Sequence, residues 1–261
     1  MEYVLVPVVA LGASLLTLFS GFGLGTLLLP AFAVFFPTPW AIAMTAVVHL
    51  LNNVFKLGLL ARDADWRMVL RFGGPSVIGA LLGAVLLERV QAVPAVAVYE
   101  AIGGRTATVT WVGLVIGTLV AGFGVLELLP IGSRLALPAR WMPVGGVVSG
   151  FFGGLSGHQG ALRSAFLVNS GLSPASLVAT RAVIAVMVDV TRIGVYAVAF
   201  SGPERAAVMD NWRLVALASV GAFVGAYVGS LLVRKVTLRA LQVVVGVALV
   251  LFGGAMAAGL V

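Results

Sequence analysis

Apolar runs of membrane-crossing length follow one another along the whole chain, separated by short stretches that carry proline, glycine or charge. The pattern predicts a first long segment over 3–36, interrupted at SGFGLG (20–25). Helices over 40–60 and 67–89 follow, then a short amphipathic piece near 95–103 and a helix over 106–129. A second long segment over 141–168 is interrupted at SGFFGGLSGHQG (149–160), and helices over 174–200, 212–233 and 237–260 complete the series. The loops leave no room for a soluble domain. The opening MEYVLVPVVALGASLL lacks the basic start and cleavage site of a signal peptide and reads as the first membrane segment.

The two halves of this pattern match. Pro39 precedes Thr45 by six residues, as Pro174 precedes Thr180, and Asp65-Trp66-Arg67 has its counterpart in Asn211-Trp212-Arg213. Twelve residues after each of those arginines stands a Gly-x-x-x-Gly, Gly79/Gly83 and Gly225/Gly229. These spacings point to an internal duplication, with repeats over 1–135 and 136–261 forming one transport unit. Each repeat has a glycine-broken first segment followed by three transmembrane helices. If the broken segments cross fully, the repeats are parallel; if they turn back, the repeats are inverted. Positive charge favours inversion slightly. The crossing arrangement puts seven basic residues inside and five outside. The re-entrant one puts eight inside (Arg62, Arg67, Arg71, Arg134, Arg140, Arg234, Lys235 and Arg239) and four outside (Arg89, Arg105, Arg205 and Arg213).

Composition supports this picture. With 61% hydrophobic and 10% charged residues, the chain is unlike a soluble domain, and its net charge of +7 fits loop cations that meet lipid headgroups rather than nucleic acid. The absence of cysteine excludes disulfides, thiol catalysis and thiolate metal sites. Neither a cofactor nor a metal is indicated, because the buried polar inventory offers too few clustered acids and histidines to hold one.

Candidate chemistry falls in three places. Gly157 and its neighbours interrupt the second broken segment, so that freed amides, with Ser156, His158 and Gln159, can seat an anion, and Arg163 adds a charge one turn on. Gly21, Gly23 and Gly25 form the corresponding seat in the first half. On the helix over 40–60, Thr45, His49, Asn52, Asn53 and Lys56 fall within about a 100° sector, one helix face. Lys56 lies near the helix end and can equally snorkel to the interface. On the helix over 174–200, Thr180 and Arg181 stand near one end, and Asp189 lies near the middle with Arg192 one turn on. That pair serves either as a structural ion pair or in proton coupling. His49, His158 and Asp189 are the candidates to carry a coupled proton. Hydroxyls, amides, histidines and an excess of arginine over carboxylate suit a small anionic substrate and no catalysis. One rival reading is an intramembrane serine protease of rhomboid type, from the Gly-Leu-Ser-Gly at 154–157 and His49-x-x-x-Asn53. It lacks a histidine on a later helix.

The order and repetition of these features resemble the TauE/SafE family of sulfite exporter-like permeases, also called TSUP. The resemblance is carried by Gly21–Gly25, Pro30, Pro39, Thr45, Asp65–Arg67 and Gly79–Gly83. In the second half it is carried by Gly150–Gly160, Pro174, Thr180, Trp212–Arg213 and Gly225–Gly229. It implies an all-α integral membrane protein of the bacterial plasma membrane that exports sulfite, sulfonates or related organic anions by alternating access. His158, Gln159, Arg163, Arg181, Asp189 and Arg192 depart from the family pattern and leave a different anion open as the substrate. The Gly-x-x-x-Gly pairs can pack helices within one chain or between chains, so the oligomeric state stays open.

Overall fold

The computed structural model describes residues 1–20, 24–101, 105–129, 138–167, 170–199, 203–232 and 238–261. Helices α1 (Glu2–Ser20) and α2 (Leu24–Ala33) flank the first glycine break, and α3 (Thr38–Leu60) follows. The short α4 (Trp66–Met68) runs through a π-helical turn (Val69–Gly73) into α5 (Gly74–Gln91), making one span over Trp66–Gln91. Strands β1 (Ala97–Ala101) and β2 (Arg105–Val109) precede α6 (Trp111–Leu128). Helices α7 (Met142–Ser156) and α8 (Gly160–Leu167) flank the second break. They lead to α9 (Pro174–Ala199), α10 (Pro203–Asp210), α11 (Trp212–Leu232) and α12 (Leu238–Ala257).

Among the described residues four helices are long and apolar enough to cross a membrane, and shorter apolar helices accompany them. The outer faces carry aliphatic side chains such as Val8 on α1, Leu82 on α5, Leu231 on α11 and Leu251 on α12, while His49, Asn52, Asp189 and Arg192 are buried inside. An apolar exterior around a polar interior is the arrangement a bilayer selects. The chain is an all-α membrane protein.

Three sequence expectations need correction, the first being the helix start at 106: residues 106–109 belong to β2, and α6 begins at Trp111. The piece near 95–103 is not a helix; it is the first strand of an antiparallel hairpin with Ala97 opposite Val109 and Ala101 opposite Arg105. Val96, Val98 and Tyr99, β-branched or aromatic, suit a strand, and the Tyr99 hydroxyl donates to the Ala258 carbonyl at 2.8 Å. Helix α10 occupies a stretch from which no helix was expected.

The repeated Trp-Arg motif starts a helix. The Asp65 carboxylate accepts from the Met68 amide at 2.8 Å, capping the third span, and Trp66 and Trp212 are both mostly exposed, as interfacial anchors are. The Arg213 guanidinium lies 5.7 Å from the centre of the Trp212 ring.

Glycine sets the helix contacts. A Cβ at Gly79 would fall on the Val147 carbonyl, at Gly83 on that of Phe151, at Gly150 on that of Ser76 and at Gly154 on that of Ala80. Helices α5 and α7 therefore meet backbone to backbone, and residue numbers rise together along the contact, so they run parallel. The same holds for α1 and α11, where Gly221 meets Pro7 and Gly225 meets Leu11. By contrast α6 and α12 run antiparallel, with Gly113 on Met256 and Gly124 on Gly246. Helices α3 and α9 are also antiparallel: His49 meets Asp189, and Asp65, just beyond α3, meets Thr180. Asp65, just before the third span, meets Thr180, and Gly73 further along lies against Ile184 and Met187, so the third span runs parallel to α9. It follows that α7 and α9 share a direction, and α8 between them brings the chain back.

These contacts make a clean stability test. Gly150→Ala should destabilise the protein by about 1–3 kcal/mol, because its methyl would collide with the Ser76 backbone. Gly12→Ala, on α1 with nothing within 4 Å of the added Cβ, should be neutral or slightly stabilising. Thermal unfolding of the two variants in detergent checks the contrast; equal melting temperatures would refute the close backbone contact.

Candidate functional site

The one carboxylate buried in the span interiors, among the described residues, organises the centre of the molecule. Asp189 on α9 is fully buried. Its Oδ1 accepts from Arg192 Nε at 3.0 Å, with Arg192 Nη2 at 2.9 Å, and its Oδ2 lies 2.7 Å from His49 Nδ1. Asn53 Nδ2, one turn beyond His49 on α3, donates to the same Oδ2 at 3.1 Å. The i, i+3 spacing puts Asp189 and Arg192 on one face of α9, and the i, i+4 spacing puts His49 and Asn53 on one face of α3.

The second break closes over this cluster. Gly157 ends α7 in the left-handed conformation with φ +84°, and its missing side chain leaves room for Arg192 Nη1, which would lie 2.7 Å from a Cβ there. Gly25, from the first break, faces the Gly157 carbonyl, and its own Cβ would be 3.0 Å from that oxygen and 3.7 Å from the His49 ring. The two breaks therefore touch each other, with His49 and Arg192 on either side. Tyr196, one turn beyond Arg192, donates its hydroxyl to the Gly154 carbonyl.

Ser156 and His158 sit in the break itself. His158 Nδ1 lies 2.9 Å from Ser156 Oγ, which is also directed at the Phe152 carbonyl at 3.2 Å, and the imidazole stacks on Phe123 with ring centres 5.5 Å apart. Nε2 of His158, Nε2 of Gln159 and Oγ1 of the buried Thr45 have no hydrogen-bond partner among the described residues. Gln159 accepts from Arg163 Nη1 at 3.1 Å through its side chain and from Ser149 Oγ at 3.0 Å through its backbone.

A second polar region lies beside the first. Thr17, Asn53, Lys56, Arg163 and Arg181 line a small pocket, together with Val178 and Ala182 of α9. Lys56 is 4% exposed, so it is a pocket residue and does not snorkel to the surface. With its amide oriented by its neighbours, Asn52 accepts from Lys56 Nζ at 3.1 Å, donates to the Ala222 carbonyl at 3.1 Å and shares a hydrogen bond with Ser14. Asn53 belongs to both regions.

The remaining candidates separate. The Thr180 hydroxyl accepts from the Asp65 amide at 2.9 Å and ties α9 to the loop after α3. Gly21 and Gly23 lie outside the described residues. Sequence reasoning passed over Ser14, Thr17, Phe123 and Tyr196. Isolated hydroxyls and aromatics in apolar helices give no signal until a partner helix is placed against them. Among the described residues no group of acids and histidines could hold a metal ion.

The interior of the helical frame holds, among the described residues, more buried cations (Lys56, Arg163 and Arg192) than carboxylates (Asp189). A family model described as sulfite exporter TauE/SafE matches residues 6–256, and the chain belongs to that family of membrane transporters. Comparison with the curated proteins and with the solved structures finds no match.

Removing Asp189 while leaving Arg192 buried and unpaired should cost about 3–5 kcal/mol of stability. Asp189→Asn alone should thus melt well below the wild type, and Asp189→Asn combined with Arg192→Gln should recover much of the loss. Non-additivity in a double-mutant cycle on thermal unfolding is the readout; purely additive losses would show that the two side chains do not act as a pair.

Proposed function

We propose that the protein carries a small sulfur-containing oxyanion, sulfite or a sulfonate, out across a bacterial inner membrane by alternating access. In this reading residues 1–135 and 136–261 are two inverted repeats that move against each other around the site where their breaks meet. The contact between Gly25 and Gly157 at the centre of the polar interior is the observation that carries it. The antiparallel course of α3 with α9 and of α6 with α12 supports inversion, since each pair couples corresponding helices of the two halves.

The substrate would be bound by groups from both breaks and from the facing helices. These are Gly25, with Gly21 and Gly23 by correspondence, then Thr45, His49, Asn52, Asn53 and Ser156–Gln159, with Arg163 and Arg181 supplying charge. Thr180 joins them through its neighbour Arg181. The His49–Asp189 pair is the best-placed carrier for a coupled proton, because imidazole exchanges protons near neutrality. Arg192 then pairs with Asp189 between turnovers.

The protease reading is the weaker one. Ser156 and His158 do touch, but they come from a single broken turn, and Ser156 is 1% exposed. A non-sulfur oxyanion is the second reading worth testing, because guanidinium groups recognise carboxylate and phosphate equally well.

The test is flux from proteoliposomes loaded with sulfite, methanesulfonate, phosphate or acetate. Wild-type protein should release sulfite faster than empty liposomes do, and His158→Ala should slow that release severalfold. Phosphate or acetate flux without sulfite flux would move the assignment to the second reading. No flux of any oxyanion would sink the transport proposal.

A further inference from the structure

We propose that Lys56, Arg163 and Arg181, with Asn53 and Thr17, form the site that holds the substrate's charge, that this site faces the cytoplasm, and that it selects a doubly charged oxyanion over a singly charged one. The inference rests on the anion-transport reading above and goes beyond it in naming the charge class and the residues that choose it.

The argument begins with a charge count. In the interior, Asp189 is matched by Arg192, which it contacts through both Nε and Nη2. That leaves Lys56, Arg163 and Arg181 as three cations lining one pocket with no carboxylate among the described lining residues. Three like charges at low dielectric repel one another, and each has given up hydration, so the pocket is incomplete without an anion. A monoanion leaves two charges uncompensated. A dianion leaves one, and Arg181 is the only one of the three that retains partial contact with the outside. Two deep cations and one at the mouth thus fit two negative charges.

The hydrogen-bonding groups agree. Nε of Arg163 and Nε of Arg181 have no partner among the described residues, although Arg163 is 5% exposed. Asn53 lines the pocket with its Nδ2 directed at Asp189 Oδ2 and His49 Nδ1, each at 3.1 Å, and the Thr17 hydroxyl is likewise engaged, donating to Ala13 O at 2.7 Å and accepting from the Leu24 amide at 3.0 Å. Thr17 therefore shapes the wall and holds the first break against it. Planar guanidinium forks from α8 and α9, facing a compact ammonium from α3, suit a small pyramidal or tetrahedral anion gripped from several sides.

Orientation follows from the helix directions. The pocket lies toward the C-terminal end of α3 and the N-terminal end of α9, on the side where Asp65 meets Thr180. The same side carries the exposed Arg62, Arg67 and Arg71, and Arg140 at the start of α7, which runs beside the third span in register. The positive-inside rule makes this face cytoplasmic. A substrate leaving the cell would meet these cations first, with Asn53 between it and the Asp189 cluster.

The experiment is equilibrium binding to the purified full chain in detergent at mildly alkaline pH, where sulfite is mainly the dianion, with methanesulfonate as a monoanion presenting the same three oxygens. Wild type should bind sulfite at least about tenfold more tightly than methanesulfonate. Lys56→Gln should remove most of that preference, Lys56→Arg should keep it, and Arg163→Gln should weaken both anions. Size-exclusion profiles identify any variant that fails to fold, and Lys56→Met, which removes the charge with a side chain of similar length, then replaces Lys56→Gln in the comparison. Sulfite binding that survives Lys56→Gln and Arg163→Gln unchanged would overturn the site while leaving the transport reading intact. Equal affinity of wild type for the two probes would overturn the charge class. Failure of wild type to bind either probe, with no oxyanion flux from proteoliposomes, would remove the transport reading and this inference together.

Discussion

Asp189 is a fully buried carboxylate, and the centre of the molecule is arranged around that constraint. An ionised acid in the middle of a membrane protein is tolerated only with charge and hydrogen bonds to replace hydration. Arg192 supplies the charge from the same helix, and His49 and Asn53 complete the hydrogen bonding from α3. Satisfying Asp189 then dictates what happens next to it. The Arg192 guanidinium needs space that only a glycine leaves, which places Gly157 and its left-handed turn at that point. The second helix break is in this sense a consequence of a buried ion pair as much as a feature in its own right.

The rest of the frame is held by a different force. Lipid chains are as apolar as leucine, so hydrophobic burial does little to bring transmembrane helices together, and close van der Waals contact has to serve instead. Helices α5 and α7, and likewise α1 and α11, achieve it by rows of glycine that let one backbone lie on another. Such contacts are short-ranged and fix their register. The interface between α3 and α9 is of another kind, made at its centre by the polar side chains of His49, Asn53, Asp189 and Arg192. Hydrogen-bonded polar groups can exchange one partner for another, whereas backbones in direct contact cannot slide without opening a void. The mechanical division of the molecule follows: stiff helix pairs joined through a polar seam.

Much of this was legible in the sequence. The apolar runs marked the helices to within a few residues, and both glycine breaks fell where helices end and restart, because helix length and glycine conformational freedom are local properties. The stripe from His49 to Lys56 and the Asp189–Arg192 pair could be read from periodicity alone. The segment over 95–103 misled because a short run of alanine and valine carries no clear period of either kind, and the pairing with β2 decides its conformation. The partition of the site could not be read either. That Asn53 would serve both the Asp189 cluster and the cationic pocket, and that Thr180 would spend its hydroxyl on the Asp65 amide, depends on how α3 and α9 are placed against each other. Lys56 shows the limit most clearly, since proximity to a helix end suits a surface lysine and only the packing of α8 and α9 over it makes it interior.

Aligning the halves on Pro39 and Pro174 brings out an asymmetry with mechanical meaning. Thr45 corresponds to Thr180, but Ala46 then stands opposite Arg181, Ile184 opposite His49, Val188 opposite Asn53, Val54 opposite Asp189 and Leu57 opposite Arg192. His49, Asn53 and Asp189, which meet between α3 and α9, thus each align with an apolar position of the other helix, whereas Lys56 aligns with the polar Thr191. Because α3 and α9 run antiparallel, His49 and Asn53 meet Asp189 and not the positions that align with them. A carboxylate at position 54 would stand where Val54 is half exposed on the outer face, away from the cluster that Asp189 forms. One buried carboxylate therefore suffices for the centre, and a second, without its own arginine and imidazole, would be an uncompensated charge at low dielectric. The glycine contacts of α5 with α7 and of α1 with α11 are free of that constraint, because backbone packing is indifferent to charge.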